Sequence, residues 1–593
     1  MKNIIKYIGG IAVLGLMAHF NYSCDNYFDE PVVQDITTED IYGDTINAIT
    51  SLNGAYYLVP HLWPSHTGFQ DGGNRNSNRM DLNLTGVICD EAASSPNWMG
   101  AHKLYYNGSI NPANTDVKQS EFLFKEPYYY MRRAFNYLNN VENIPNATES
   151  YIKRTSAEAR MLVALGYFAL IKRYGSVPWI DKALTANDEV DETRMPLVDI
   201  IGKVDSIIVR ALPDLPDRWS DNHQGRVTKA SAYFLRSRLA LWAASPLFNT
   251  GTPYLDAGEA NSAICMGNYD PNRWRIAADR AKEAIDYCES QGFELVNTGD
   301  PIADYTFATR DLVGNQRNTE VILFSRIHSS RQAKNNPSGT FYFRHMPPGK
   351  TKSSKGAAAL CPTQNFVELY ETVDGSEVDL TKSNPWANLD PRFHASIIHD
   401  KASFGGSKLG IMPKKHKDAD KKLDKYNDQW VTGFFMRKFL HEEQYTDPNL
   451  SFDAPYFCMR LPELYFNYAE ALNEYDPGNA DITTYLNKTR ERVGMPDIAS
   501  MGQDEMREAI RNEKAVEMAF EDQRFFDLKR WKMGEKSMEI RRGIQRIKSG
   551  GYEIKNCTDD RQFSQGWQDK YYLWPFPLEE VQRGFGLVQN PGY

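Results

Sequence analysis

Cysteine is scarce in this chain. Its 593 residues include seven, none in a C-x-x-C pair. Cys89, Cys265, Cys288, Cys361, Cys458 and Cys557 have no regular spacing, so neither a zinc site nor a disulfide framework is indicated, and they read as buried thiols. A chain this long needs no such staples, because it can bury a large core or split into two intimate lobes. Positive charge is also short: Lys and Arg number 68 against 77 Asp and Glu, net −9, which argues against nucleic acid. The one basic stretch, Lys408 to Lys425, is interleaved with Asp418, Asp420 and Asp424 and reads as a solvated loop. The usual catalytic signatures are missing too. No G-x-S-x-G elbow occurs, and Arg344 stands where a phosphate loop ending Gly349–Thr351 needs its first glycine. After His441, Tyr445 occupies the place of the second histidine of a zinc helix, and His394 and His399 read as packed histidines.

Long apolar runs are absent but for IGGIAVLGLMA, which follows Lys2 and Lys6 and has the length of a signal-peptide core rather than a membrane span. It ends in FNYSC, which resembles a bacterial lipobox, although Asn21 stands where leucine is usual. That resemblance implies cleavage before Cys24, lipid on its sulfur and a tether over 24–40. The alternative is a plain secretory signal with an incidental cysteine. Losing residues 1–23 with their two lysines takes the charge from −9 to −11.

Aromatic residues are plentiful at 12%, enough to line a core and still furnish a binding surface. Apolar residues recur at helical spacing in EARMLVALGYFALIKRYG, in KASAYFLRSRLALWAAS after Thr228, a candidate N-cap, and in RLPELYFNYAEALNE. The last places Glu463, Asn467, Glu470 and Glu474 on a polar face. Further helices are expected near 45–58, 126–142, 197–211, 273–290, 481–492 and 505–532, whereas 300–460 has short apolar runs between Gly, Pro, Ser and Lys clusters. Paired helices with short turns suggest tetratricopeptide-like hairpins, although no strict 34-residue period is visible. In RNEKAVEMAFEDQRFFDLKRW, Glu513, Glu517 and Glu521 share one helical face. Stacked carboxylates serve acid-base chemistry, bind metal, or accept from arginines. With Arg490, Arg492, Arg511, Arg524 and Arg530 nearby, a structural ion network is expected.

RLPELYFNYAEALNE, LNKTRERVGMP, RNEKAVEMAFEDQRFFDLKRW and YYLWPFPLEEVQRGFGLVQNPGY together resemble the C-terminal signature series of the SusD/RagB family of Bacteroidetes surface lipoproteins. The resemblance extends to NPWANLDPRF at 384–393, to 225–248 and to RYGSVPWI at 173–180. It implies a mainly α fold, with tetratricopeptide-like hairpins over 41–300 packed against a second part over 301–593, loop-rich to about 460. It also implies a protein that binds glycans without catalysis and without a cofactor, leaving a structural calcium ion open. Such proteins sit as a lid on a SusC-like TonB-dependent transporter, anchored by lipid to the outer membrane and facing outward. By the same resemblance, the carboxylate helix is scaffold, and Trp386, Trp531 and Trp574 are structural.

Sugar recognition needs flat rings for pyranose faces, flanked by amide, carboxylate or guanidinium groups for the hydroxyls. Residues 90–107, DEAASSPNWMGAHKLYYN, lack a clean period and supply Asp90, Glu91, Asn97, Trp98, Tyr105 and Tyr106. In the family the stretch after the "DE" pair carries ligand contacts, which raises Trp98 and Asn97 above the rest. A second candidate is GTFYFRHMPPG, with Tyr342, Arg344 and His345. Two other readings compete with glycan capture: a glycoside hydrolase using paired carboxylates, and a protein-binding tetratricopeptide adaptor.

Overall fold

The structure is a computed structural model, and it describes residues 37–64, 80, 83–95, 100–114, 121–220, 223–311, 318–327, 341–347, 357–411, 432–447, 450, 454–547 and 550–593. Helices carry the architecture. Thr148 opens the longest, Glu149–Tyr174, by accepting from Tyr151 N (3.2 Å), and Gly175 closes it at φ +74°. A side chain there would need a left-handed backbone and would meet Ala263 O at 2.8 Å. Thr228 begins Lys229–Ala244 with a reciprocal capping box to Ser231, as its position in the sequence led one to expect.

Helices adjacent in the chain pack on one another. Thr45–Tyr56 lies against Lys125–Asn140, which lies against Glu149–Tyr174, and that helix packs on Leu197–Ala211. Lys229–Ala244 packs on Asn272–Ser290. The chain then returns across the stack, because Leu461–Tyr475 docks on Asn272–Ser290 and in turn receives Ala480–Arg492 and Gln503–Glu517. One contiguous hydrophobic core runs through these elements. Trp386, Trp531 and Trp574 all belong to it, as do Cys89, Cys288, Cys361 and Cys458. All six described cysteines are buried free thiols.

The middle of the chain contributes short strands, and five two-stranded antiparallel pairs occur among the described residues. β1 is Ala92–Ser94, β2 is Val321–Ile327 and β3 is Leu360–Pro362. β1 pairs with β3, Ala93 opposite Cys361, and β2 pairs with Ala454–Arg460 through an irregular register. The expectation of a loop-rich middle overlooked several short helices, the longest of them Pro301–Arg310, which Asp300 caps by accepting from Ala303 N (3.1 Å).

The polar face of Leu461–Tyr475 is enclosed: Glu463, Asn467 and Glu470 are buried. Arg238 Nη2 reaches Glu463 Oε2 (2.6 Å), while Arg530 Nη2 (2.6 Å) and Trp531 Nε1 (2.7 Å) donate to Glu470. The helix expected over 505–532 is broken. It runs Gln503–Glu517, turns with Phe520 at φ +63° and Asp522 at φ +59°, and resumes as Arg524–Arg530.

Candidate functional site

Glu513 and Glu517 share a helix face as expected, whereas Glu521 sits in the turn beyond it. All three are buried. Glu517 accepts from Arg492 Nη2 (2.7 Å to each oxygen), from Arg460 Nη1 (2.8 Å) and from Arg392 Nη1 (3.2 Å). Arg490 Nη1 donates to Glu513 (2.9 Å), and Glu521 takes Arg460 Nη2 (2.8 Å) and Lys438 Nζ (2.7 Å). Glu320 and Asp390 complete the set by accepting from Arg460 (2.8 Å) and Arg392 (2.7 Å). Burial alone would raise Glu517, but Arg492, Arg460 and Arg392 overcome it and hold the carboxyl well below the ordinary value of 4.5. Such a set is satisfied internally and leaves no carboxylate free for acid-base work. The ion-network reading is therefore right, but its partners come largely from elsewhere. Of the five arginines adjacent in sequence, Arg490 and Arg492 join it, while Arg511, Arg524 and Arg530 pair with Glu508, Asp90 and Glu470.

The two candidate ligand segments, far apart in sequence, are linked through the backbone at 358–360. β1 continues into Ser95, whose N–H donates to Ala359 O (3.1 Å) just before β3. Ala359 N in turn donates to Arg344 O (2.7 Å), and Ala358 N to Met346 O (3.1 Å). Ser95 is thereby tied, through Ala359, to the short helix Phe341–His345. Aromatic packing fixes that helix, because Trp63 stacks on Tyr456 (5.5 Å, 9° between planes) and lies 4.8 Å from Phe341. Asn97 and Trp98 themselves lie outside the described residues, as does Cys24.

Several residues expected at the ligand surface belong to the core instead. Asp90 is buried and grips Arg524 with both oxygens (3.1 and 2.8 Å). Glu91 is buried and accepts from Phe520 N (2.7 Å). Burial pushes its carboxyl up to about 8. Gly86 permits this, since a Cβ there would meet Glu91 Oε2 at 2.2 Å. Tyr105 is buried, with its hydroxyl accepting from Glu121 N (2.6 Å). Tyr106 is buried as well and donates to Val87 O (2.9 Å). Tyr342 packs edge-on to Phe341 and His441 with 1% exposure, too little for a stacking platform. His345 is buried too, and that burial lowers it to about 3. Arg344 alone of the second segment's candidates is half-buried rather than enclosed. A polar residue in an aperiodic stretch is thus a weak sign of a ligand contact when its partner is remote in sequence. Among the described residues, no group of three or more His, Cys, Asp or Glu could hold a metal ion.

Known proteins share this fold. The SusD family profile matches residues 319–593, and a profile described as "Starch-binding associating with outer membrane" matches residues 72–241. This chain belongs to the SusD/RagB family. The SusD-like protein P2 of Formosa agariphila is 33% identical over 147 residues, which span 23% of this chain and 26% of that relative. A SusD-like protein of Bacteroides fragilis superposes with a TM-score of 0.74 at 21% identity, covering 94% of this chain and 99% of its own. A second from that organism, titled a SusD-like carbohydrate binding protein, gives 0.67 at 18% over 91% and 98%. A laminarin binding SusD-like protein gives 0.60 at 21% over 93% and 100%. These likenesses establish the mainly helical SusD-like fold. No helix among the described residues is long and apolar enough to cross a membrane.

Proposed function

We propose that this SusD-family protein captures oligosaccharides at the cell surface and passes them to a TonB-dependent outer-membrane transporter, held to the membrane by lipid on Cys24. The observation that supports the binding site is the backbone link from Ser95 through Ala359 to the carbonyl of Arg344, itself half-buried. An aromatic ring, an amide and a guanidinium are groups that suit a pyranose and its hydroxyls. The ligand class draws support from the family and from the laminarin-binding protein of like fold. The hydrolase reading loses its nearest carboxylates, because Asp90 and Glu91 are buried in structural contacts away from solvent. We therefore read the protein as a binder that needs no cofactor.

Replacing Trp98 tests this. Calorimetry against laminarin oligosaccharides and against hits from a glycan array should show Trp98→Ala weakening binding roughly tenfold or more, an effect of about 1–3 kcal/mol. Melting temperature and co-purification with the transporter should stay unchanged. Unaltered affinity, or a variant that unfolds, would make Trp98 a packing ring. Shortening of the oligosaccharide on prolonged incubation would revive the hydrolase.

A further inference from the structure

We propose a second saccharide subsite in the helical part of the molecule, in a cleft of about 510 Å³ between the start of helix Asn272–Ser290, the end of Leu461–Tyr475 and helix Gln503–Glu517. None of its lining residues belongs to either candidate ligand segment. The volume is within the range of about 300–1,000 Å³ usual for small-ligand sites. Its wall has three features that together select a ligand.

The first is a ring. Tyr269, at the lip, is 61% exposed, a large value for a tyrosine lining a cleft, and so offers a face for stacking. The second is that the charged groups of the wall are already neutralised. Arg507 pairs with Glu474 (2.9 Å), Arg530 and Trp531 hold Glu470, and Arg511 Nη1 donates to Glu508 (2.6 Å). A charged ligand would find no unmatched counter-ion. The third is hydrogen-bonding capacity left over from those pairs. Asn473 is 1% exposed and donates through its amide nitrogen to Gln503 O (3.0 Å), while its Oδ1 has no partner among the described residues. Arg511, braced over the Trp531 ring at 5.0 Å, likewise has an Nε without one. Both atoms are enclosed in the wall, so a small rotation of Asn473 or Arg511 would present them, and a group that can both donate and accept would then satisfy both. A neutral ring bearing several hydroxyls, a single pyranose unit, meets all three conditions. An apolar or ionic ligand does not.

This inference goes beyond the Trp98 segment and is tested without it. Saturation-transfer NMR on the full chain carrying Trp98→Ala would use D-glucose, D-galactose, D-mannose, D-xylose and N-acetylglucosamine as separate probes. At least one should receive saturation, and adding Tyr269→Ala should weaken its binding about threefold to tenfold, the scale of one lost aromatic stacking contact. Because Tyr269 is exposed, the double variant should melt with the single one. Asn473→Leu, which removes the acceptor and keeps the volume, should lose the same probe. If no sugar binds the Trp98→Ala protein, or if Tyr269→Ala leaves binding unchanged, the subsite does not exist. Failure of the Trp98 site would show separately, as oligosaccharide affinity that Trp98→Ala leaves unchanged.

Discussion

Glu517→Gln measures what the buried ion network contributes. Five buried carboxylates (Glu320, Asp390, Glu513, Glu517 and Glu521) face five cations (Arg392, Lys438, Arg460, Arg490 and Arg492), so the buried set is neutral, with the exposed Glu371 pairing to Arg490 at its edge. Glutamine keeps the shape but removes one charge, turns an acceptor into an amide donor and leaves Arg460, Arg492 and Arg392 short of a counter-charge. Breaking one member of a buried ionic set in this way costs about 3–5 kcal/mol. For a unit of 593 residues, an unfolding entropy of about 2.1 cal/mol/K per residue gives roughly 1.2 kcal/mol/K, so the midpoint should fall by about 2–4 °C. A smaller cooperative unit would give a larger fall.

Differential scanning calorimetry reads that shift, and titration with the glycan that binds best reads the affinity, which should not change. Glu579→Gln is the control: Glu579 is 70% exposed and pairs with Lys125 at the surface, so its loss should cost less than about 1 kcal/mol. The sign with pH follows from the lowered carboxyl of Glu517. Its stabilisation is present above the ordinary glutamate value of 4.5 and is lost as pH falls below it, so wild type and variant should converge in acid. An unchanged midpoint, or lost glycan binding at an unchanged midpoint, would refute the scaffold reading and move the site to this helix.

Two further predictions concern opposite ends of the molecule's chemistry. Cys24→Ser should leave a soluble or unprocessed protein by fractionation and mass measurement of the N-terminus, and recovery of normally processed protein in the outer membrane would refute the lipid anchor. Glu91 titrates in the reverse sense to Glu517, because burial lifts its folded value from 4.5 to about 8; stability is full below 4.5 and drains as pH rises through 8. Glu91→Gln, which keeps the acceptor for Phe520 N, should therefore flatten the decline in melting temperature between pH 5 and pH 9, and parallel curves would show that the carboxyl is already charged.

The helices were legible in the sequence because apolar residues at i, i+3 and i+4 report a buried stripe wherever it lies. What covers the opposite face was not legible. Periodicity marks Glu463 and Glu470 as polar, but their partners Arg238 and Arg530 arrive from other helices, so the pattern does not show that this polar face is buried. The same limit applies to the carboxylate helix. Its ionic role was readable from the arginines beside it, whereas Arg392 and Arg460, which do much of the pairing, lie outside the stretch. Asp90 and Glu91 looked like ligand contacts for the same reason, since neither Arg524 nor Phe520 N is near them in the chain. The capping signals of Pro301–Arg310, by contrast, were present and went unread.

These misread residues explain how the fold could hold a ligand loop steady. Asp90 ties to Arg524, Glu91 to Phe520 N, and Thr85 donates through both N–H (2.7 Å) and hydroxyl (2.8 Å) to Asp522. All three ties run between the stretch just before β1 and the turn between the last two long helical segments. That turn also carries Glu521, which Arg460 and Lys438 bind into the ion network. The strained φ of Phe520 and Asp522 is thus held from both sides, by the network behind and by the β1 stem in front. A loop discriminates between hydroxyl patterns only as finely as its stem is fixed. Here the fixing is done by buried charges from remote parts of the chain, and the β1–β3 pair, with the bond from Ser95 N to Ala359 O, carries it on as far as Ser95.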